Sequence, residues 1–187
     1  MGGLRIIAGE ARGRALKTFK GDWPVRPILG RIKKSLFDIL QVRIPGAVFL
    51  DLYAGTGAVG IEALSRGAGR AVLVDGDARC VSLVKENLRM LGWEGRAEVL
   101  NADITKSLHL PAGTFDIVFM GPPYKDEFKR PLSLTTVTLN NVVEARLLRD
   151  KGMIISQHHV KEQVIAPAAI VLKRREKYGD TYLDFYA

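Results

Sequence analysis

The sequence predicts an α/β protein whose mostly parallel β-sheet carries helices on both faces. Short apolar runs rich in strand-forming residues alternate with stretches of helical periodicity through the middle of the chain. Two further runs near the C-terminus follow each other with too few residues between them for a helix, which predicts an antiparallel hairpin. A basic segment precedes all of these elements, so we expect an arm at residues 1–45 and a domain at residues 46–187.

The arm is predicted to consist of a short β-hairpin and a helix. Residues 4–8 and 15–18 flank a glycine-containing turn, which is the pattern of a hairpin. Two X-Pro pairs within residues 23–27 then interrupt the chain. Apolar side chains recur at helical spacing over residues 28–41, and a Pro-Gly pair at residues 45–46 marks the end of the arm.

The domain is predicted to alternate strands and helices until its final hairpin. The predicted strands are 47–52, 71–75, 97–100, 115–120 and 153–157. The predicted helices are 59–66, 78–91, a short piece near 104–108, and 139–149. The hairpin strands are 169–175 and 182–186, joined by a tight turn at residues 178–180.

Charge is concentrated in the arm. The chain has 28 Lys and Arg against 20 Asp and Glu, a net charge of +8, and residues 1–43 alone carry ten basic and three acidic side chains, a balance of +7. We expect these side chains to contact nucleic-acid phosphates; a solvated surface is the alternative. The candidate contacts are Arg5, Arg12, Arg14, Lys17, Arg26, Arg31 and Lys34.

Composition excludes several other classes of protein. No apolar run approaches the ~18 residues of a membrane span, and the N-terminal residues lack the apolar core of a signal peptide. Cys80 is the one cysteine, so an intramolecular disulfide and a cysteine metal cluster are excluded. His158 and His159 are adjacent on a predicted strand and point to opposite faces, so we expect no metal site. A monomer in the reducing cytoplasm is predicted.

A glycine-rich loop follows the first predicted strand of the domain. Gly55, Gly57 and Gly60 form the G-x-G-x-x-G pattern between a strand and a helix, where glycines let the backbone turn and approach a ligand. Asp75 ends the next strand, twenty residues after Gly55, at the spacing of a carboxylate that binds ribose hydroxyls. We therefore expect a nucleoside-containing ligand rather than a purely structural turn.

Two further carboxylates discriminate between such ligands. Asp51 ends the first strand, where it would repel a pyrophosphate but suits the ammonium group of S-adenosylmethionine; its alternative role is a cap or turn residue. Asp103 follows the third strand and can accept from an adenine amino group, with Ile104 against the ring; a helix N-cap is its alternative role. The predicted cofactor-binding residues are Asp51, Ala54, Gly55, Thr56, Gly57, Asp75, Gly76, Asp103 and Ile104.

The fourth predicted strand leads into the candidate catalytic loop, Gly121-Pro122-Pro123-Tyr124. Its two prolines make the loop rigid, and Pro123 lacks an N–H, which leaves the Pro122 carbonyl free to accept from a substrate amine. Tyr124 offers a flat face on which a base can stack. The loop is therefore predicted to hold an amine-bearing base.

These segments resemble the family of bacterial methyltransferases that modify an exocyclic guanine amine of small-subunit ribosomal RNA. The resemblance covers essentially the whole chain, through residues 5–9, 26–31, 51–60, 62–68, 122–124 and 177–181. It implies a seven-stranded, Rossmann-like class I methyltransferase sheet with S-adenosylmethionine as the donor. It also implies transfer to the guanine N2 amine and an arm that engages ribosomal RNA or the assembling small subunit.

The chain departs from the family pattern at the catalytic loop. Gly121 stands where the family has Asp or Asn, whose side chain accepts from the target amine. Residues 28–30 are Ile-Leu-Gly where the family continues Thr-x-Asp, and residues 156–159 are Ser-Gln-His-His where the fifth strand often carries Glu. With Gly121, a main-chain acceptor remains, so slowed catalysis is expected. Glu62 is interpreted as an arm contact or helix-surface residue, with a catalytic base as the alternative.

The sequence is also compatible with three alternative functions. Gly121 suggests a catalytically weakened RNA-binding homologue. An amine methyltransferase acting on DNA or protein shares the Pro-Pro-Tyr loop, although 187 residues leave little room for a target-recognition domain. An NAD-dependent dehydrogenase shares the glycine loop, but Asp51 disfavours it, and so does the lack of an obvious catalytic His or Tyr–Lys pair.

Overall fold

The computed structural model describes residues 4–19, 28–126, 128 and 130–187, which fold around a seven-stranded β-sheet. The helices are α1 Gly30–Ile39, α2 Ala58–Ser65, α3 Ala78–Leu91 and α4 Thr135–Glu144. The strands are β1 Val48–Leu52, β2 Arg70–Asp75, β3 Ala97–Asn101, β4 Phe115–Met120, β5 Leu148–His159, β6 Leu172–Tyr178 and β7 Thr181–Tyr186. A 3-10 turn, Glu94–Arg96, leads from α3 into β3.

The sheet has the strand order β3-β2-β1-β4-β5-β7-β6. Strands β1 to β5 pair in parallel, and β7 lies antiparallel to both β5 and β6. The α/β class and the C-terminal antiparallel hairpin predicted from the sequence are therefore confirmed. The strand order reverses between β1 and β4, and in open α/β sheets a ligand binds in the crevice at that point, outside the carboxyl ends of the strands.

Two hydrophobic clusters cover the two faces of the sheet. The first packs α1, α2 and α3 against one face and contains Phe37, Phe49 and Phe185. The second packs α4 and the loops at 102–110 and 164–170 against the other face. Apolar side chains of the arm, among them Ile6 and Leu16, belong to the first cluster, so the arm is part of the same core as the sheet.

A buried carboxylate fastens the arm to α2. Glu62 is 0% exposed, and its two oxygens accept from the amides of Ile7 and Ala8 at 2.8 and 3.0 Å. Lys33 of α1, 1% exposed, approaches the same carboxylate at 2.9 Å, and Arg66 does so at 2.8 Å. Burial opposes ionisation of Glu62, but Lys33 and these N–H donors outweigh it, so its pKa is lowered. The prediction that Glu62 contacts the arm is confirmed.

The next turn of the arm rests on the C-terminal end of α2. The amides of Glu10 and Ala11 donate to the carbonyl and hydroxyl oxygens of Ser65 at 2.9 and 3.1 Å, and the Ser65 hydroxyl donates to Ala8. Gly9 has φ +85°, and a Cβ there would lie 1.7 Å from the Ser65 carbonyl oxygen. Only glycine fits between the two segments.

The predicted N-terminal hairpin forms, but it is shorter than expected. The structure has one isolated antiparallel bridge, between Arg5 and Ala15, flanked by a few backbone hydrogen bonds, and no regular strands over residues 4–18. The reason is that the amides of Ile7 and Ala8 donate to Glu62 and so are not available for a strand ladder. The X-Pro pairs of residues 23–27, with the candidate contact Arg26, lie outside the described residues.

Two predicted helices also need correction. No helix forms near 104–108, because the Asp103 carboxylate accepts from the amide and hydroxyl of Thr105 and closes a turn instead. The helix predicted at 139–149 is α4, which begins at Thr135 and ends at Glu144; Arg146, with φ +51°, reverses the chain into β5. The other helices and the strands lie within a few residues of their predicted positions, although β5 is longer than expected.

Replacing Gly9 with Ala is expected to loosen the arm and destabilise the protein. The new methyl group would overlap the Ser65 carbonyl, and the positive φ would be strained as well, so we expect a loss of at least about 2 kcal/mol in the free energy of unfolding. Gly13→Ala is the matched control, because Gly13 has φ +83° but, among the described residues other than its chain neighbours, no atom within 4 Å of its Cβ position. Urea unfolding measures both; equal losses would show that the close approach to Ser65 is unimportant.

Candidate active site

The predicted cofactor residues lie at the carboxyl edge of the sheet. The register pairs Leu52 of β1 with Val74 of β2 and with Met120 of β4, and Asp75 with Asn101 of β3. The loops that leave β1, β2, β3 and β4 therefore emerge side by side. The structure brings the glycine loop, the acidic strand ends and the Pro-Pro-Tyr loop to one edge.

The glycine loop turns directly into α2. Gly55 and Gly57 have φ values of +57° and +78°, and Gly57 is the N-cap of the helix. A Cβ at Gly60 would lie 2.6 Å from a methyl group of Leu73 and 3.2 Å from the Asp51 carboxylate, so this glycine allows α2 to approach the sheet. The loop therefore places backbone amides at the N-terminus of α2, next to the acidic residues at the strand ends.

Residues outside the glycine pattern hold this loop in place. Tyr53 has φ +63°, unusual for a residue with a side chain, and its hydroxyl lies 2.7 Å from that of Thr138 on α4. Burial raises the pKa of Tyr53 to about 12. The buried Asn87 of α3 donates to the carbonyl of Thr56 at 3.0 Å and also accepts from the amide of Lys17. Sequence reasoning missed Tyr53 and Asn87, and only the position of Tyr53 beside the loop could have signalled its role.

Asp51 is a buried carboxylate with a raised pKa. Its side chain is covered by protein, and one oxygen accepts from the Gly60 amide at 2.8 Å. Burial raises the pKa from the ordinary 3.8 to about 7, against the effect of that hydrogen bond, and nearby Asp75 contributes in the same direction as burial. A cation beside Asp51 would stabilise its charged form.

Asp75, at the end of β2, accepts a hydrogen bond from the glycine loop. One oxygen accepts from the amide of Gly55 at 2.7 Å and the other from the amide of Asp77 at 2.9 Å. A carboxylate oxygen can accept more than one hydrogen bond, so hydroxyl groups of a ligand can still donate to it. Gly76 leaves room beside this carboxylate, since among the described residues other than its chain neighbours its Cβ position contacts only the carbonyl of Ala102, at 3.7 Å.

Asp103 and Ile104 follow β3 at the same edge. The Asp103 carboxylate is exposed and accepts from Thr105, and it pairs with Lys106 at 3.3 Å, which lowers its pKa. The Ile104 side chain is 2% exposed within the second cluster, and its carbonyl accepts from Asn141. Ile104 thus supports the loop from the core, and contact with an adenine ring stays a prediction.

The Pro-Pro-Tyr loop lies against the end of β5. The Tyr124 hydroxyl donates to Thr181 at 3.3 Å and accepts from the side-chain amide of Gln157 at 3.1 Å. The ring also meets His159 edge to face, with centroids 5.7 Å apart. Burial raises the pKa of Tyr124. Pro122 is buried and Pro123 exposed, and a Cβ at Gly121 would lie 3.3 Å from the Phe119 ring.

The candidate RNA contacts lie on the arm and on α1. All those described have exposed side chains. Arg5 donates to the Gly13 carbonyl, Arg14 donates to the Met90 carbonyl, and Lys17 and Lys34 pair with acidic neighbours. The Arg12 side chain has no hydrogen-bond or ion-pair partner among residues 4–19, 28–126, 128 and 130–187, and its amide donates to the Gly9 carbonyl. The Arg31 side chain comes within 3.7 Å of the Cβ position of Gly179, so α1 adjoins the hairpin of β6 and β7.

The two adjacent histidines contact different residues. His158 is buried and lies 3.0 Å from the Asp184 carboxylate, while His159 contacts Tyr124. Within the described part of the chain, no group of three or more His, Cys, Asp and Glu side chains is arranged to hold a metal ion. In that same part, none of the helices has the length and apolar character needed to cross a membrane.

Replacing Asp51 with Asn is expected to remove a pH-dependent loss of stability. Because its pKa is raised, the folded state binds the Asp51 proton more tightly than the unfolded state, so the free energy of unfolding falls as the pH rises from about 4 to about 7. The free energy of unfolding of the Asn variant, relative to that of the wild type, should therefore increase by up to about 1.4 kcal/mol per pH unit over this range. The difference should become constant above pH ~7. Urea unfolding without cofactor tests this; a constant difference between the two proteins would contradict the raised pKa.

The chain matches known proteins over nearly its whole length. A family model described as "Conserved hypothetical protein 95" matches residues 4–187. YlbH of Bacillus subtilis (strain 168), provisionally named an rRNA methyltransferase, is 34% identical over an alignment of 189 residues that covers 98% of each chain. Ribosomal RNA small subunit methyltransferase D of Escherichia coli (strain K12) is 32% identical over 198 residues, covering 98% of this chain and 96% of that protein.

Solved structures share the fold. The yhhF protein of Escherichia coli, provisionally named a methyltransferase, superposes with a TM-score of 0.84 at 32% identity and covers 99% of this chain and 97% of that one. An RNA methyltransferase from Salinibacter ruber in complex with S-adenosyl-L-homocysteine has a TM-score of 0.64 at 14% identity, over 86% and 92% of the two chains, and shows the class I methyltransferase fold alone. The resemblance found in the sequence is thereby confirmed: the chain belongs to the family described as conserved hypothetical protein 95, together with the small-subunit ribosomal RNA methyltransferases D.

Proposed function

We propose that this protein transfers a methyl group from S-adenosylmethionine to the exocyclic N2 amine of a guanine in small-subunit ribosomal RNA. The observation that carries the proposal is the placement of Asp51, Asp75 and the glycine loop directly beside the Pro-Pro-Tyr loop, at one edge of the sheet. The relatives named ribosomal RNA methyltransferases support the reaction class and the RNA. The cytoplasm, where ribosomal subunits assemble, is the expected location.

The residues at this edge suit S-adenosylmethionine. The Asp75 carboxylate, already held by Gly55, can accept from the two ribose hydroxyls. Asp51 is buried next to α2 and would be stabilised as a carboxylate by the ammonium group of the cofactor. Asp103 is exposed, so it can accept from the adenine amino group. A dinucleotide would bring its pyrophosphate to the same loop, between two carboxylates, which disfavours NAD.

Catalysis in this proposal depends on how the chain positions the base. When bound, S-adenosylmethionine supplies a methyl group, whose bond to sulfur breaks with its electron pair left on sulfur while the guanine nitrogen forms the new bond and releases one proton to water. Tyr124, fixed by Gln157 and Thr181, provides a surface for stacking the guanine. The Pro122 carbonyl accepts one amine N–H, which turns the nitrogen lone pair toward the methyl group.

The basic arm is proposed to bind the RNA around the target base. Glu62 and Ser65 fix the arm to α2, and α2 begins at the glycine loop, so the arm has a defined position relative to the cofactor site. Arg12 and Arg14 have exposed side chains on this docked segment, where phosphates can reach them. Arg31 and Lys34 extend the basic surface along α1, since residues three apart share one side of a helix.

The experiment that tests this function is methyl transfer from labelled S-adenosylmethionine. Small ribosomal subunits and naked small-subunit RNA, both from cells lacking this protein, are incubated with it, and we expect label in the small-subunit RNA. Asp75→Ala should reduce transfer at low donor concentration at least about tenfold, by raising the Kd for S-adenosylmethionine by that factor, because the ribose hydroxyls then lose their acceptor.

Calorimetry separates the cofactor from the substrate in this experiment. Wild-type protein should bind S-adenosylmethionine and show no heat of binding with NAD. Binding of NAD would favour a dehydrogenase, and binding of S-adenosylmethionine without label in any RNA would favour the RNA-binding homologue. Label in DNA or protein instead of RNA would also contradict the proposal.

Neutralising the arm should weaken RNA binding without changing the cofactor affinity. Replacing Arg12 and Arg14 with Gln removes two cations proposed to face the phosphates, so the negative slope of log K against log salt should become shallower by about 0.7–0.9 for each arginine replaced. Arg146→Gln is the control, since Arg146 is exposed in the turn between α4 and β5, at the edge of the sheet opposite the carboxyl ends of the parallel strands. Fluorescence anisotropy with labelled RNA over a salt series measures the slope; an unchanged slope would mean that these arginines form a solvated surface.

A further inference from the structure

Gln157 lies beside the position where the family carries its amine acceptor. Met120 pairs with Ser156 in the parallel register of β4 and β5, so Gly121 and Gln157 are the next residues on adjacent strands. A Cβ built on Gly121 would lie 4.0 Å from the Cβ of Gln157. The side chain of Gln157 therefore starts next to the space that an Asp or Asn at position 121 would use.

In the carboxamide of Gln157, the nitrogen Nε2 has a hydrogen-bond partner and the oxygen Oε1 has none among the described residues. Nε2 donates to the Tyr124 hydroxyl at 3.1 Å, and that hydroxyl uses its own hydrogen for Thr181. This chain of donors fixes the orientation of the amide, because a reversed amide would present an acceptor to a hydroxyl whose hydrogen is already used. Oε1 is consequently left buried, without a hydrogen-bond partner among the described residues.

A buried acceptor without a donor is unfavourable, and native proteins contain few. The unsatisfied oxygen belongs to a residue that touches the candidate catalytic loop, in a chain that lacks the acceptor side chain at 121. The exocyclic amine of guanine carries two N–H donors, and the Pro122 carbonyl is proposed to accept one of them. The second hydrogen needs another acceptor from the protein.

We infer that Gln157 Oε1 accepts this second amine hydrogen and thereby serves as a catalytic residue in place of a side chain at position 121. The inference rests on the proposed function. Oε1 is covered by protein, so the entering base has to displace part of that cover, and the amine then supplies the donor that the oxygen lacks. Gln157 stays neutral throughout: the methyl group replaces one amine hydrogen, whose proton leaves to water.

The role of Gln157 is tested by single-turnover methyl transfer in two backgrounds. Gln157→Met removes both polar atoms of the carboxamide and keeps a similar side-chain volume. It should slow methyl transfer at saturating RNA and donor by roughly tenfold to a hundredfold. In a Gly121→Asp background, the new carboxylate supplies the acceptor, so Gln157→Met should cost less than about threefold. The Asp side chain fits after a small shift of the Phe119 ring, which lies 3.3 Å from its Cβ position.

A third variant separates catalysis from the positioning of Tyr124. Tyr124→Phe removes the hydroxyl that Nε2 holds but keeps the ring, so in this background Gln157→Met should still slow the rate roughly tenfold or more, whereas a residue that only holds Tyr124 would add no further cost. Gln157→Glu keeps an acceptor and should retain the rate within about threefold. Melting temperature and donor affinity are measured for every variant, and Gln157→Ala replaces Gln157→Met if the latter does not fold. An equal cost of Gln157→Met in both backgrounds would overturn the inference alone. A wild-type protein that methylates no guanine would overturn the proposed function with it.

Discussion

The buried carboxylate of Glu62 is the group on which the relative placement of arm, helices and loop depends. A charge in this position is tolerated only when all its hydrogen-bonding capacity is used, and here Lys33, Arg66 and two arm amides use it. These partners come from α1, from the end of α2 and from the arm, so one residue joins three segments. Since α2 starts at the glycine loop, the same carboxylate sets the distance between the basic arm and the candidate cofactor site.

Close packing of α2 on the sheet imposes a second constraint. Gly60 allows the helix to lie against Leu73 and brings its amide to Asp51, so the carboxylate is buried and its pKa is raised. Tyr53 adopts a positive φ immediately before the loop. Strain and unfavourable burial thus coincide at the edge where the ligand is proposed to bind, and a cationic ligand would offset the unfavourable burial of Asp51.

The sequence predicts the sheet and the cofactor edge well, because both depend on local patterns. The β4 strand and α3 have the bounds expected from apolar periodicity, and the glycine loop lies where its spacing requires. Tertiary interactions determine the rest. The arm amides donate to Glu62 instead of forming a hairpin ladder, Asp103 closes a turn where a helix was expected, and α4 begins four residues earlier than its apolar residues indicated. Gln157 and Asn87 carry no motif, so only the fold reveals what they touch.

The position of the methyl group on the modified nucleoside tests the central claim most directly. After transfer to small-subunit RNA, the RNA is digested to nucleosides and the labelled product is identified by chromatography and mass spectrometry. The account predicts N2-methylguanosine, because the Pro122 carbonyl, Tyr124 and the neighbouring carboxamide are proposed to bind a guanine with its exocyclic amine facing the methyl donor. Label on a ribose hydroxyl, on a ring nitrogen or on adenine would contradict it.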